Sequence, residues 1–434
     1  MRVLFTTSEW PTHYFPMVPL GWALQAAGHE VRVACAPSQV EHVSRAGLTP
    51  LPVLGGPDPM FKTRLARYWE VTGAGQPVEP GSLLHPVTAE PLERPADFDF
   101  ATYAALHRES NLELMRGSCD RTVDFARRWS PDLVVFDPQN VEGVLAARVL
   151  GVPAVCHLFG VVGTHETEPG LDIVLEDHSS SFARYAGPEM SADLIDSVVD
   201  HCPASAAPAV AKPRLPVRYV PYNGPGGVPE WATRPPESGR PRVLVAWGTS
   251  LTHVYGSRAF LAPMLLSALA DADVEVVVTA TERDRATLGP LPPNARLLEQ
   301  WSPLRLLLPC SDAVIHYGSG GASMTATVTG VPQLALPFSA EQRMNARRLC
   351  AGGAGFVLDG FTATPDEVRD RIADLLTLPS HRLAAARLRD EALDRPTPAE
   401  LVDTLRELAE TAPWRAPGET EAPVLAAAVG SRPA

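Results

Sequence analysis

No stretch of this 434-residue chain has the length and apolarity of a membrane span, and the opening Met1-Arg-Val-Leu-Phe-Thr-Thr7 lacks the charged lead and long apolar core of a signal peptide. The six cysteines (Cys35, Cys119, Cys156, Cys202, Cys310 and Cys350) contain no Cys-x-x-Cys pair, so neither a zinc site nor a disulfide framework is indicated. Buried thiols in a reducing compartment are expected, and with them a cytoplasmic protein. Basic runs are missing as well. Thirty-seven Lys and Arg face fifty Asp and Glu, a formal charge of -13, which argues against a nucleic-acid partner. Gly-x-Gly-x-x-Gly is absent, and with it the dinucleotide-binding fingerprint.

What is present is an ordinary globular composition, 45% hydrophobic and 20% charged, in a chain longer than one hydrophobic core usually supports. Two domains are expected. Arg2-Val-Leu-Phe-Thr-Thr7 reads as a strand that runs into a loop. Leu20, Ala23, Leu24 and Ala27 then recur at helical spacing, Gly28-His29 ends that helix, and Glu30–Cys35 follows as a strand. Such a βαβ unit implies parallel strands with ligands at their carboxyl ends. The Pro-, Gly- and charge-rich stretch from Pro57 to Asp99, with short helical patches, reads as long loop or variable insertion rather than core sheet, and Asn111 to Trp129 as helix. The strands Pro131–Asp137 and Ala154–Leu158 flank a helix over Val141–Leu150.

Prolines crowd the chain between Cys202 and Arg240, a density that breaks helices and central strands alike. The expected boundary lies there, dividing 1–227 from 228–412. A second opening strand, Arg242-Val-Leu-Val-Ala-Trp247, echoes the first, runs into Gly248-Thr-Ser250, and is followed by the strand Val274–Thr279. Thr364-Pro-Asp-Glu367 and Thr397-Pro-Ala-Glu400 both carry the signature of a capped helix start. The Ala-, Pro- and Gly-rich residues 413–434 are expected to be a disordered tail.

The densest signal lies between Trp301 and Leu349. Asp312-Ala-Val-Ile-His-Tyr-Gly-Ser-Gly-Gly321 reads as a buried strand entering a turn that opens a helix, where unpartnered N–H groups and the helix dipole can seat an anion. A glycine-rich turn also serves simply to pack a helix tightly on a sheet, so the turn alone does not decide. Around it stand Trp301, an aromatic platform, and Glu341-Gln342, a carboxylate–amide pair. Base, diphosphate and hexose of a nucleotide sugar would match the three.

These segments resemble the donor-binding half of GT-B-fold nucleotide-sugar glycosyltransferases, especially those that attach deoxysugars to polyketide and macrolide antibiotics. The resemblance is carried by Trp301-Ser-Pro303, Cys310-Ser-Asp-Ala-Val-Ile-His316-Tyr-Gly318-Ser-Gly-Gly321, Gly330-Val-Pro-Gln333 and Glu341-Gln342-Arg-Met-Asn345. Two departures stand out: Tyr317 replaces a second His, and Ser319 a Gly. The fold implied is α/β, two Rossmann-like domains facing across a cleft, with the last helix crossing back to brace the first domain.

The resemblance also implies roles. His13, in the loop after the first strand, is followed by Pro16 and Pro19-Leu20 at the family's spacing, which makes it the candidate base for the acceptor hydroxyl. A loop histidine more often only packs, and it is the resemblance that favours the base. Asp137 is the expected partner of His13, against the alternative that it caps the next helix, and Glu9 is a second possible partner. Trp301 would stack on the base rather than fill the core. His316, Gly318, Ser319, Gly320 and Gly321 would hold the diphosphate, helped by Thr249 and Ser250 unless these only cap a helix. Glu341 and Gln342 would read sugar hydroxyls, and Phe15 would line the acceptor pocket.

The implied activity is inverting transfer of a deoxyhexose from a dTDP-sugar to a polyketide-type aglycone, with neither metal nor cofactor. A GT-B-fold nucleotide-sugar epimerase and a non-catalytic nucleotide-sugar-binding partner protein are the alternatives. Some enzymes of the resembled group need a cytochrome-like auxiliary protein, for which the insertion after Pro57 offers a place, and a homodimer is a further expectation. The new bond, to oxygen or carbon, is left open by these residues.

Overall fold

The computed structural model describes residues 1–73, 81–248, 250–280 and 285–411. The first half runs through β1 (Arg2–Thr6), α1 (Pro11–Tyr14), α2 (Val18–Ala26), β2 (Glu30–Ala34), β3 (Thr49–Leu51) and α3 (Pro59–Gly73). A small hairpin of β4 (Leu83–Leu84) and β5 (Pro91–Leu92) leads to α4 (Phe100–Trp129), β6 (Leu133–Phe136), α5 (Val141–Leu150), β7 (Ala154–His157), β8 (Ser197–Asp200) and β9 (Arg214–Pro216). The second half holds β10 (Arg242–Ala246), α6 (Ser250–Tyr255), β11 (Glu275–Thr279), β12 (Ala295–Leu298), β13 (Ala313–His316) and α7 (Gly320–Thr329). It closes with β14 (Gln333–Ala335), α8 (Ala340–Cys350), β15 (Gly355–Val357) and α9 (Pro398–Thr411).

Two parallel sheets result, in the orders β3-β2-β1-β6-β7-β8-β9 and β12-β11-β10-β13-β14-β15. Their central strands are buried throughout and mainly apolar because helices cover both faces, so both side-chain directions point into core. In each sheet the chain order reverses beside the opening strand. Val3 pairs with both Val31 and Leu133, and Val243 with both Val276 and Ala313. Helices leave such a point toward opposite faces, so a crevice opens at the carboxyl ends of β1 and β6, and of β10 and β13. Those four ends carry the His13 loop, Asp137, the Gly248 turn and the Gly318 turn.

The two-domain α/β reading and the bracing helix hold. Leu401, Val402 and Leu405 of α9 bury themselves among Val3, Phe5, Leu20 and Leu24 of the first half. Both Thr-Pro-x-Glu starts form reciprocal caps: Thr364 and Glu367 exchange bonds, and Thr397 N–H donates to Glu400 Oε2 at 2.7 Å. The proline-crowded stretch still supplies β9, but only as an edge strand, where a missing N–H is tolerated. Sheet membership changes between Pro216 and Arg242, the span that contains the expected 227/228 boundary.

The stretch Pro57–Asp99 is the insertion of the two alternatives, not a long loop, and its described residues stay out of both main sheets. It contains α3 and the β4–β5 hairpin, joined by a satellite core of Tyr68, Leu83, Leu92 and Phe98. The helix expected from Asn111 begins eleven residues earlier, with Asp99 accepting from Thr102 N–H as its cap. The later half of α4, with Cys119, Val123, Ala126 and Trp129, packs into the main core of the first half, whereas Tyr103 near its start meets the satellite, and there charged residues between widely spaced aromatics hid the helix. The excursion reaches the second half: Arg64, buried on α3, donates to the carbonyl of His253 on α6. The expected tail, 413–434, lies outside the described residues. No helix among the described residues is long and apolar enough to cross a membrane.

Candidate active site in the interdomain cleft

His13 stands on α1, the single turn that follows β1, and its side chain is 13% exposed into the cleft. Its ring lies flat against Phe159, with centroids 3.7 Å apart and planes 6° from parallel. Burial pushes the imidazole down to about 3, so the ring is neutral at physiological pH and has a free lone pair. Asp137 directly follows β6 and is fully buried. Burial raises its carboxyl to about 6, against the opposing pull of N–H donors from Ser8 and Gln139. His13 Nδ1 lies 3.9 Å from Asp137 Oδ1, too far for a direct hydrogen bond, and 3.0 Å from Ser8 Oγ.

The pairing expected from the sequence is therefore present with a residue between. Asp137 is not the cap of α5, since Asn140 accepts from Gly143 N–H in that role. Glu9 turns away and accepts from Ser38 at 2.9 Å.

Across the cleft, Trp301 is 51% exposed, which removes the packed-core alternative. Its indole N–H donates to the Asn223 carbonyl at 2.7 Å, and Asn223 Oδ1 in turn accepts from Arg305 N–H. Gly224, at φ +82°, must be glycine, because a Cβ there would stand 2.9 Å from the indole nitrogen. The linker thus clamps one edge of the ring and leaves a face free. Phe15 lines the cleft and meets Tyr222 edge to face at 5.2 Å beside Gly224, close to the Trp301 platform.

The turn after β13 corrects a second expectation. His316 is fully buried, and both ring nitrogens are occupied. Gly318 N–H donates to Nδ1 at 2.9 Å, so the proton sits on Nε2, which donates to Gln333 Oε1 at 2.8 Å. Burial lowers the ring to about 4, and it is neutral. It does not line the cleft; it shapes the loop from below. Gly318 is in turn forced to be glycine by φ +84° and by Gln342, whose carbonyl would lie 2.6 Å from a Cβ.

Ser319, Gly320, Gly321 and Ala322 then bring the start of α7 to the cleft wall, with no side chain capping its first N–H groups. Ser250 and Tyr317 line the same wall, and the Tyr317 hydroxyl bonds with Ser250 and Ser319. Thr249 lies outside the described residues.

Glu341 and Gln342 open α8. Gln342 Oε1 accepts from Phe338 N–H at 2.9 Å, and Glu341 Oε1 from Asn345 Nδ2 at 2.5 Å. Burial raises the Glu341 carboxyl to about 7, the Asn345 bond opposing. Asn345, part of the recognised pattern but given no role there, is a joint between the halves. Its Oδ1 accepts from Val161 N–H at 2.8 Å and its Nδ2 also donates to the Gly318 carbonyl at 3.1 Å.

Beside it Arg348 makes a two-pronged pair with Glu166 at 2.6 and 2.8 Å. Burial opposes ionisation of Glu166, but Arg348 together with the Gly163 and Ala209 N–H donors outweighs it and holds the carboxyl below its usual range. Gly320 marks how closely the halves meet, because a Cβ would stand 2.6 Å from the Phe159 carbonyl.

The cleft so formed has a volume of about 510 Å³ and is lined from both halves, by His13, Phe159 and Asp172 on one side and Trp301, Ser319, Gly321 and Glu341 on the other. No Lys or Arg is among its described lining residues. Two Asp-x-Asp triplets, at 97–99 and 271–273, lie outside the described cleft lining, and three of their four acids have local partners. Asp97 pairs with Arg94, Asp99 caps α4, and Asp273 pairs with Arg240.

Four of the six cysteines are buried; Cys310 and Cys350 are partly exposed. Sequence reasoning missed Ser8, Phe159 and the Glu166–Arg348 pair. Each meets its partner only through tertiary folding, and position at a strand's carboxyl end was the sole available signal for Ser8 and Phe159.

Two family models, described as Erythromycin biosynthesis protein CIII-like, N-terminal domain and C-terminal domain, match residues 22–248 and 263–408. The chain belongs to the erythromycin biosynthesis protein CIII-like family. This EryCIII-like chain is 36% identical to the 10-deoxymethynolide desosaminyltransferase of Streptomyces venezuelae, over 94% of its own length and 97% of the relative's. It is likewise 36% identical to the TDP-daunosamine transferase DnrS of Streptomyces peucetius, with 96% and 98% covered. Among solved structures, the spinosyn rhamnosyltransferase SpnG complexed with thymidine diphosphate superposes with a TM-score of 0.71 at 31% identity, covering 94% of this chain and 100% of that one. The EryCIII-like chain is thus a GT-B-fold glycosyltransferase of the deoxysugar-transferring kind, as the resemblance implied.

Proposed function

We propose that this chain moves a deoxyhexose from a thymidine diphosphate sugar to a hydroxyl of a polyketide-type aglycone, with inversion at the sugar carbon. One observation carries the reading: a single cleft brings a neutral imidazole from the first half opposite an uncapped helix start and an open indole from the second. Thymine stacks on Trp301. The diphosphate sits on the first N–H groups of α7, with hydroxyls of Ser250, Ser319 and Tyr317 in reach.

With no cationic side chain on the described lining, charge growing on the leaving diphosphate is met by these backbone and hydroxyl donors. Glu341 and Gln342 hold sugar hydroxyls. His13 Nε2 takes the acceptor proton as that oxygen attacks, and Asp137, ionised above about pH 6, stabilises the imidazolium that forms.

The test is mass spectrometry of products from a panel of dTDP-sugars and aglycones, run beside His13→Ala. Transfer by the wild type, its loss in the variant and unchanged dTDP affinity support the reading. Full turnover by the variant removes His13 as the base, and sugar-nucleotide conversion without acceptor points to an epimerase.

A further inference from the structure

His13 and Asp137 are too far apart to bond, yet a base that uses Nε2 needs its Nδ1 proton held. Only then does the Nε2 lone pair face the acceptor. Ser8 stands in the gap, with Oγ 3.0 Å from His13 Nδ1 and its own N–H bonded to Asp137 Oδ2. Its placement is fixed from two further directions, since its carbonyl accepts from Gln39 Nε2 at 2.9 Å and from Thr7 Oγ1 at 3.2 Å. The opposite side of the imidazole is fixed by the stack on Phe159. A hydroxyl can accept from Nδ1–H and donate to a carboxylate at once, which no apolar residue of the same size can do.

We infer that Ser8 is a positioning residue that joins His13 to Asp137, holding the imidazole as the Nδ1–H tautomer and passing the carboxylate's stabilisation to the imidazolium. This rests on His13 being the base. In the transfer step the acceptor O–H bond breaks and Nε2–H forms, while the new sugar C–O bond replaces the bond to the diphosphate oxygen. Ser8 keeps its own proton throughout.

The test uses the full chain with Ser8→Ala, Ser8→Thr and His13→Ala. Ser8→Ala keeps the backbone N–H that Asp137 needs, so thermal unfolding and dTDP affinity should match wild type. Its kcat should fall at least tenfold, up to the roughly 10²–10⁴ that a general base contributes, with KM for the donor unchanged. Ser8→Thr should restore most of it. Nitrogen-15 spectra of labelled histidine should show His13 mainly as Nδ1–H in wild type and as a mixture of tautomers in Ser8→Ala. An inactive His13→Ala with wild-type kcat and unchanged His13 tautomer in Ser8→Ala would overturn the relay alone. An active His13→Ala would overturn the base on which it rests.

Discussion

The two halves are built alike and work differently. Each sheet starts with an Arg-Val-Leu strand, is parallel throughout and reverses order beside that strand, so each opens a crevice at the same relative place. The first half fills its crevice with side chains: an imidazole, a hydroxyl and a carboxylate in series. The second offers mainly backbone, the start of α7 held open by glycines, with a buried histidine beneath it. One crevice handles a proton and the other a spread anionic charge. Side chains tune a proton acceptor, whereas a diphosphate needs donors that cost little reorganisation.

This division gives the variants their order. His13→Ala should cost about 10²–10⁴ in kcat, the range for a positioned base, and leave dTDP affinity unchanged when measured by calorimetry. Trp301→Ala should do the reverse, weakening dTDP binding by about 1–3 kcal/mol, the usual worth of stacking one base on an aromatic ring. If either variant moves both quantities equally, the halves do not divide the work.

The smallest effect is in pH. The free base of His13 persists from well below neutrality, so its own titration does not limit the rate near pH 6. Asp137, raised to about 6, gains its charge as pH rises through that value. At saturating donor, where Glu341 binding effects drop out, kcat should climb about tenfold between pH 5 and pH 7.5 and then level, as one ionising group dictates. Asp137→Asn should flatten that limb; an unchanged limb would assign it elsewhere.

The same contrast explains what could be read from sequence. Backbone sites require glycine at fixed places, so Gly318 to Gly321 announced themselves, and the domain pairing followed from two similar strand openings. The role of His316 did not follow, because whether a histidine beside such a loop faces the ligand or Gln333 depends on a neighbouring strand. Likewise nothing local links Ser8 to Asp137 or Asn345 to Val161, bonds that span 129 and 184 residues. The start of α4 was missed because it packs on the satellite, whereas the stretch from Asn111, which packs on the main core, was readable.

A crystal structure of the chain with thymidine diphosphate tests the central claim most directly. The account predicts thymine against the indole of Trp301 and phosphate oxygens within hydrogen-bond reach of the Gly320 and Gly321 N–H groups, with His13 across the cleft. Thymidine diphosphate bound in the first half, or away from both the indole and the start of α7, would contradict it.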